Sequence, residues 1–185
     1  MEDQFYTIFS SQFDTFTVVW SDNSSELKIK RIFLSDSRLK SEVKALESFI
    51  RIKKKASSSI IKLGQKIQLF LKGEKIEFDL EMLDFDMCYE LQKKVLLSEY
   101  KIPRGWVSTY NRIAHHLNMP KGARAIGNAL ARNPFPIIIP CHRAIRTDGG
   151  LGGFQGGIKM KQTLLELEGI VFSDKGRVIT DKIFY

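Results

Sequence analysis

No run of eighteen apolar residues occurs in the 185-residue chain, so no stretch reads as a membrane-crossing helix. The N-terminus, Met1-Glu2-Asp3-Gln4, has neither the basic nor the apolar region of a secretory signal. An intracellular protein is expected, cytoplasmic or, in a eukaryote, nuclear. Cysteine is nearly absent. Cys88 and Cys141 are too few for a disulfide framework and suit a reducing compartment. With three histidines (His115, His116 and His142) and no further cysteine, zinc-type ligand spacing is missing and no metal is expected. The most informative gap is in acidic residues. Residues 101–147 contain eight Lys or Arg and no Asp or Glu, whereas residues 1–100 carry 16 of each sign. The net charge of +8 therefore comes entirely from the C-terminal part. A solvated basic face is normally interspersed with carboxylates, as the first hundred residues are. The pure basic block points instead to a polyanion, nucleic acid first.

A chain of this length forms one or two domains with a substantial core. Phe5–Phe9, Thr15–Trp20 and Leu27–Leu34 have strand composition, and the Ser21–Ser25 cluster reads as a turn, which predicts an antiparallel meander. Ser35 or Asp36 caps a helix over Arg38–Ile50, with Leu39, Val43, Leu46 and Ile50 as its inward stripe. The basic run Arg51–Lys55 reads as an exposed loop or helix end. A helix over Ser58–Leu71 stops at Lys72-Gly73. Residues 1–78 hold no catalytic constellation, so residues 1–86 are expected to be an α/β scaffold domain. Its acidic stretch Asp79–Asp86 is a crossing linker and a possible intramolecular partner for basic residues.

The second domain, 87–185, opens with a helix over Met87–Lys101, with Leu91, Val95 and Leu96 inward and Cys88 in the core. Pro103 and Gly105 force a turn. Ser108 or Thr109 caps a short helix through Leu117, Asn118-Met119-Pro120 breaks it, and a second helix runs from Lys121-Gly122 to Arg132. This is the pattern of a helix-turn-helix, although any helical hairpin shares it. Gly122, Ala123, Ala125, Gly127, Ala129 and Ala131 leave the second helix nearly bare, able to approach a packed neighbour or a narrow groove closely. The fold class expected is α+β, an N-terminal antiparallel sheet with helices followed by a mainly helical C-terminal domain.

The stretch Asn133-Pro134-Phe135-Pro136-Ile137-Ile138-Ile139-Pro140-Cys141-His142-Arg143 places a thiol beside an imidazole and a guanidinium. Ile137–Ile139 reads as a short strand buried on both faces, stopped by Pro140 with Cys141 at its mouth. Alone, Cys141 would be one more small buried apolar residue. Six glycines in the nine residues 149–157 exclude a helix and leave a flexible hairpin loop or a pocket wall against which a flat base could lie. Ile158–Gly169 reads as a helix, and the tail as a hairpin around Ser173-Asp174-Lys175-Gly176.

Pro140-Cys141-His142-Arg143, preceded by Asn133-Pro134 and the isoleucine run, resembles the active-site signature of the O6-alkylguanine-DNA alkyltransferases, also called methylated-DNA–protein-cysteine methyltransferases. The resemblance runs from Ile102 to Gly169, through Ile102-Pro103-Arg104-Gly105, Val107-Ser108-Thr109-Tyr110, Ala123-Arg124-Ala125-Ile126-Gly127 and Leu164-Leu165-Glu166-Leu167-Glu168-Gly169. The first hundred residues resemble the family only in outline.

The resemblance implies DNA repair by direct reversal. Guanine is flipped out of the duplex and its O6-alkyl group passes irreversibly to Cys141, one lesion per protein molecule and without a cofactor. It implies His142 as the base, acting through a bridging water, Glu168 as the group that orients it, and Tyr110 as hydrogen-bond and proton donor to the flipped base. Arg143 would support the site. Asn133, Ala144, Phe154, Gln155, Gly156 and Leu130 would form the base pocket, Asn133 also tying the turn. Phe154 stands where the family usually has tyrosine and loses a hydroxyl. Gln155, where a small residue is frequent, bears on pocket size. Arg124 matches the arginine that fills the gap in the base stack. Lys121, Ala123, Gly127, Asn128 and Arg132 would complete the minor-groove face, with Lys121 and Arg132 on phosphate. Some relatives carry an N-terminal zinc site, for which this chain lacks ligands. The partner implied is double-stranded DNA carrying O6-alkylguanine, met by a monomer, with no membrane involved. Rival functions are a Cys-His-Glu hydrolase, which would turn over, and a non-catalytic alkyl-lesion sensor or helix-turn-helix regulator, against which the presence of Cys141 speaks.

Overall fold

The computed structural model describes residues 3–23 and 26–185. The chain divides into two compact units, one of Met1–Met87 with Pro134–Ile138 and the other of Cys88–Asn133 with Ile139–Tyr185. The architecture is α+β.

The first unit is built on an antiparallel meander of β1 (Gln4–Ser11), β2 (Asp14–Asp22) and β3 (Leu27–Leu34). Of the serine cluster expected to turn between β2 and β3, Ser21 lies in β2, and Ser24 and Ser25 lie outside the described residues. The basic run contributes an edge strand, β4 (Lys53–Lys54), parallel to β1, giving the order β3-β2-β1-β4. It is neither the exposed loop nor the helix end expected; Lys55 just beyond it sets its ammonium 4.2 Å from the Phe5 ring centroid, which holds the run against the sheet. Six successive residues of β2 are buried, so both faces of the sheet are covered. The helix α2 (Ser58–Leu71) buries Ile60, Ile67, Phe70 and Leu71, and it lies so close to β1 that a Cβ on Gly64 would meet the Phe9 ring at 2.1 Å.

The helix α1 (Ser41–Ser48) is shorter than expected and turned the other way. Leu39, Val43, Leu46 and Ile50 are exposed, while Ser41 and Ala45 face inward. A hydroxyl network decides this orientation. Ser41 Oγ lies 2.9 Å from Thr17 Oγ1 and 3.0 Å from Thr15 Oγ1, and the Ser41 N–H donates to Ser35 Oγ at 2.9 Å. Orphan polar groups at a helix start must be satisfied, and the small inward residues let the helix sit close to the sheet. The edge of β3 is covered by the acidic stretch and by Pro134. The Ile29 N–H donates to the Met82 carbonyl at 2.7 Å, the Asp84 N–H to Ile29, and the Ile32 N–H to the Pro134 carbonyl at 2.8 Å. Asp84 pairs with Lys30 at 2.6 Å, so the acidic stretch does hold a basic partner within its own unit.

Ile137–Ile139 is a buried turn rather than a strand, with Ile137 at φ 77°. Pro136 and Pro140 bracket it, and neither has an N–H to donate to a ladder.

The second unit begins with α3 (Glu90–Tyr100); Cys88 lies just ahead of it and is half-buried, not in the core as expected. A parallel pair that the sequence reading did not foresee joins β5 (Ser108–Thr109) to β6 (Ala144–Ile145). Thr109 caps α4 (Tyr110–His116), accepting the Arg112 N–H on its hydroxyl at 3.1 Å. Asn118, at φ 57°, ends that helix, and α5 (Ala123–Ala131) completes the helix-turn-helix. α6 (Ile158–Leu167) and a hairpin of β7 (Val171–Phe172) and β8 (Val178–Ile179) follow. Among the described residues no helix is long and apolar enough to cross a membrane.

Candidate active site

Pro140 cannot continue the backbone as a strand, and the chain folds directly into a single 3₁₀ turn, Cys141–Arg143, against which α3 and α6 both pack. The turn is closed by the Arg143 N–H donating to the Pro140 carbonyl at 2.8 Å. Cys141 is 7% exposed and His142 fully buried. Asn133 donates its amide to the Ile139 carbonyl at 3.2 Å and also hydrogen-bonds the Cys141 sulfur. Burial pushes the Cys141 thiol up to about 11 despite that bond, so the resting site holds a thiol and not a thiolate.

Glu168 stands at the C-cap of α6, released by Gly169 at φ 86°. Its side chain is 1% exposed and gathers four donors. Arg143 gives it Nε at 2.9 Å and Nη2 at 2.7 Å, His142 approaches with Nε2 at 3.1 Å, and the Gly105 N–H donates at 3.2 Å. Burial works against the charge of Glu168, but the His142 hydrogen bond and the Arg143 fork outweigh it and hold the carboxyl well below the usual range. Burial keeps His142 below its ordinary value in spite of Glu168, so the ring is neutral near pH 7. With a carboxylate on Nε2, the proton belongs on that nitrogen, and Nδ1 carries the lone pair.

Tyr110 begins α4, and burial pushes its hydroxyl up to about 12. The glycine loop lies against it. A Cβ on Gly152, at φ 69°, would stand 2.5 Å from the Tyr110 oxygen, so both the backbone conformation and the space demand glycine there. Phe154 is half-buried with its ring edge-on to His142, centroids 6.3 Å apart; Gln155 and Gly156, also half-buried, follow in the same loop. Ala144 is buried in β6, and its carbonyl rather than its side chain faces a site group. Leu130 is buried on the inner side of α5, and its carbonyl accepts the Asn133 N–H at 3.1 Å. Cys141, His142, Asn133, Glu168, Arg143 and Phe154 are thus linked by direct contacts, while Tyr110 lies against Gly152 of the loop that carries Phe154.

The outer side of α5 presents Lys121, Arg124, Asn128 and Arg132, all exposed, with Ala123 and Gly127 half-buried among them. A Cβ on Gly127 would meet nothing within 4 Å, so no internal packing asks for glycine there. Ile126, Ala129 and Leu130 anchor the opposite side, and Gln92 of α3 ties the helix end by donating to the Ala129 and Arg132 carbonyls.

Two buried ionisable groups went unremarked in the sequence reading. Lys161 is fully buried, with Nζ donating to the Ala144 carbonyl at 2.6 Å and to Gly153 at 3.4 Å, and it lies 5.9 Å from the Tyr110 ring. Glu99 is also fully buried. A signal for each was present: Glu99 falls four residues after Val95, and Lys161 three before Leu164, both on inward stripes.

Residues 90–170 match the family described as 6-O-methylguanine DNA methyltransferase, DNA binding domain. The methylated-DNA–protein-cysteine methyltransferase of Scheffersomyces stipitis is 37% identical over 150 residues, which cover 75% of each chain. The chain belongs to the methylated-DNA–protein-cysteine methyltransferase family. A family member from Methanothermobacter thermautotrophicus is 48% identical over 112 residues, 60% of this chain; the chain spans 62% of that relative's length. Among solved structures, the Mycobacterium tuberculosis OGT in complex with DNA is similar with a TM-score of 0.71 and 27% identity, covering 88% of this chain and 91% of its own. The O6-methylguanine-DNA methyltransferase of Pyrococcus kodakaraensis gives a TM-score of 0.66 at 27% identity, covering 90% and 99%. The family match at 90–170 takes in the helix-turn-helix, the Cys141 turn and Glu168, whereas the structural likeness extends over the N-terminal unit as well.

Proposed function

We propose that the protein repairs alkylated DNA by moving the O6-alkyl group of a flipped-out guanine to Cys141, stoichiometrically and irreversibly. The observation that carries this reading is a nearly buried thiol at the head of a turn whose next residue is a neutral histidine locked to a buried carboxylate. The thiol loses its proton to His142 through a water, and Glu168 stabilises the imidazolium that results. The sulfur then forms a bond to the alkyl carbon as the carbon–O6 bond breaks. Its electron pair stays with guanine, which takes a proton from Tyr110, a hydroxyl that its surroundings keep protonated. The thioether product offers no good leaving group, so the protein is consumed. Substrate entry must supply the drive for ionisation, because the resting thiol is held well above neutral pH.

The test is mass spectrometry after mixing with duplex DNA containing O6-methylguanine. One CH2 should be gained per molecule, on the peptide that carries Cys141. A gain on Cys88, or release of many equivalents of product per protein, would exclude the reading.

The exposed side of α5 supports DNA as the partner. Arg124 is exposed on a helix whose small residues allow entry into a minor groove, where it would fill the gap left by the flipped base. Arg124→Ala should slow reaction with duplex lesions far more than reaction with free O6-benzylguanine, which needs no flipping. Equal losses on the two substrates would assign Arg124 to the fold. Lys121 and Arg132, exposed at the two ends of α5, are read as phosphate contacts. Each duplex phosphate contact contributes a slope of roughly −0.9 to log affinity against log salt. Lys121→Ala should therefore flatten the measured slope by about one and weaken all sequences alike. An unchanged slope would remove Lys121 from the interface.

A further inference from the structure

The first unit holds a cleft that alkyl transfer leaves without a use. Its volume is about 230 Å³, larger than a core cavity of about 150 Å³ that takes up benzene. Its walls are Ile29 of β3, Leu63 of α2, Phe78, Met82 and Leu83 of the stretch after α2, and Ile138 of the buried turn. Small-molecule sites have this make-up, apolar walls with a few polar groups placed among them. The polar groups here are Ser59, Lys62 and Lys66 of α2, and Asp79. Lys62 and Lys66 stand four residues apart, so their side chains leave the same side of the helix, where like charges repel. Both are exposed, and among the described residues neither ammonium has an ion pair or a hydrogen bond. Asp79 is the one carboxylate in the lining, and its Oδ1 already accepts the Glu81 N–H at 3.2 Å. The start of α2 adds to the imbalance: its N-cap, Ser57, makes no side-chain cap bond and its first turn has no acidic residue. The lining therefore carries one positive charge more than it neutralises.

We propose that this cleft binds a small amphipathic anion, its apolar body against Leu63, Met82 and Ile138 and its carboxylate or similar head on Lys62 and Lys66. The volume admits a ring or a short alkyl chain, not a folded partner. Two ammoniums one helical turn apart can share the oxygens of a single acidic head, which also removes their mutual repulsion. A cationic head meets them as a like charge. An uncharged molecule buries the same apolar surface but leaves both ammoniums as they are. The site stands apart from the alkyl-acceptor reading, since it uses no residue of the Cys141 turn.

The probe is octanoate, with octanol and octylammonium as its uncharged and cationic counterparts. Binding is followed by NMR on the whole chain carrying ¹³C in its methionine methyl groups. Met82 reports from the cleft, and Met119 and Met160 of the second unit serve as references. The Met82 signal is identified by its disappearance in Met82→Leu. Octanoate should shift that signal saturably and leave the references in place. Exposed ion pairs contribute modestly, so octanoate should bind roughly three- to tenfold more tightly than octanol, and octylammonium more weakly than either. Lys62→Gln combined with Lys66→Gln should bring octanoate down to the level of octanol and leave octanol unchanged. Leu63→Trp, which fills the cleft, should abolish binding of all three. The comparison of head groups on the wild type needs no variant and stands if one of these fails to fold. Absence of a saturable Met82 shift with octanoate would overturn the proposal, as would octanol or octylammonium binding as tightly as octanoate. An octanoate affinity unchanged in the folded double lysine variant would overturn it too. Methyl transfer to Cys141 enters none of these measurements, so the two readings stand or fall separately.

Discussion

Cys141→Ser is expected to abolish alkyl transfer from O6-methylguanine DNA while leaving lesion binding nearly unchanged. Cys141 is 7% exposed, and a serine hydroxyl occupies almost the same space, so the pocket keeps its shape. What changes is the acid. Even the sulfur, with an amide from Asn133 and the ammonium of Lys161 nearby, is held at about 11. An alcohol in that environment ionises far less readily and is a poorer nucleophile toward carbon. Removal of a hydrolase's nucleophile costs on the order of 10⁶ in rate, and a loss of that size puts transfer below detection. Cys88→Ser, by contrast, should transfer a full equivalent, since Cys88 lies ahead of α3 and forms no part of the turn. The measurement is the methyl adduct after a single mixing, with binding to lesion DNA followed in parallel. A Cys141→Ser protein that still gained a methyl group on its own chain would end the assignment of this residue.

The parts of this fold that were legible in the sequence are those governed by local rules. β3 and α2 fall on their expected residues, because a strand of alternating character and a helix closed by Lys72-Gly73 announce their own ends. Thr109 as a cap and Asn118-Met119-Pro120 as a break likewise act within a few residues. Misreadings occur where distant groups decide. The apolar stripe of α1 points outward because Ser41 finds hydroxyls on β2, and a helical period cannot show a partner on a strand twenty-odd residues away. The short parallel pair of β5 and β6 is two residues long on each strand, too little to leave a periodic trace.

In the site, the residues carrying the family signature were legible because the motif runs through Cys141, His142 and, by spacing, Glu168. Arg143 was read as support, and the structure gives that support a form: a fork on Glu168 with Nη1 donating to the Ile102 carbonyl at 2.6 Å. Glu99 and Lys161 were not legible as site residues. A lone charge on an inward stripe is visible in one sequence, but its burial depends on the packing of α3 and α6, each against the Cys141 turn.

Glu168→Ala should be the most destabilising single change in the second unit. It leaves Arg143 nearly buried with one carbonyl partner, Ile102, and leaves the His142 ring without the carboxylate that fixes its tautomer. Breaking one side of a buried ion pair costs about 3–5 kcal/mol. At roughly 2–4 °C per kcal/mol for a chain of this size, the melting temperature should fall by about 10 °C or more. The double variant Glu168→Leu with Arg143→Leu should recover much of that loss, since removing both charges takes away the uncompensated guanidinium. Acid behaviour separates the roles further. Glu168 has a folded-state pKa below its unfolded value, so its stabilisation is full above about pH 4.3 and is lost as the pH falls toward the folded value. His142, also depressed but as a base, makes the fold less stable as pH drops below about 6.5, where the unfolded chain takes up the proton. Wild type should therefore lose stability in two stages on acidification, while Glu168→Ala keeps the first and shows a smaller second, to which Asp36, Asp14 and Asp148, also lowered, still contribute. Thermal melts across that range decide it: a lower stage of undiminished size in the variant, or a variant as stable as wild type at pH 7, would mean that Arg143 and His142 do not depend on Glu168.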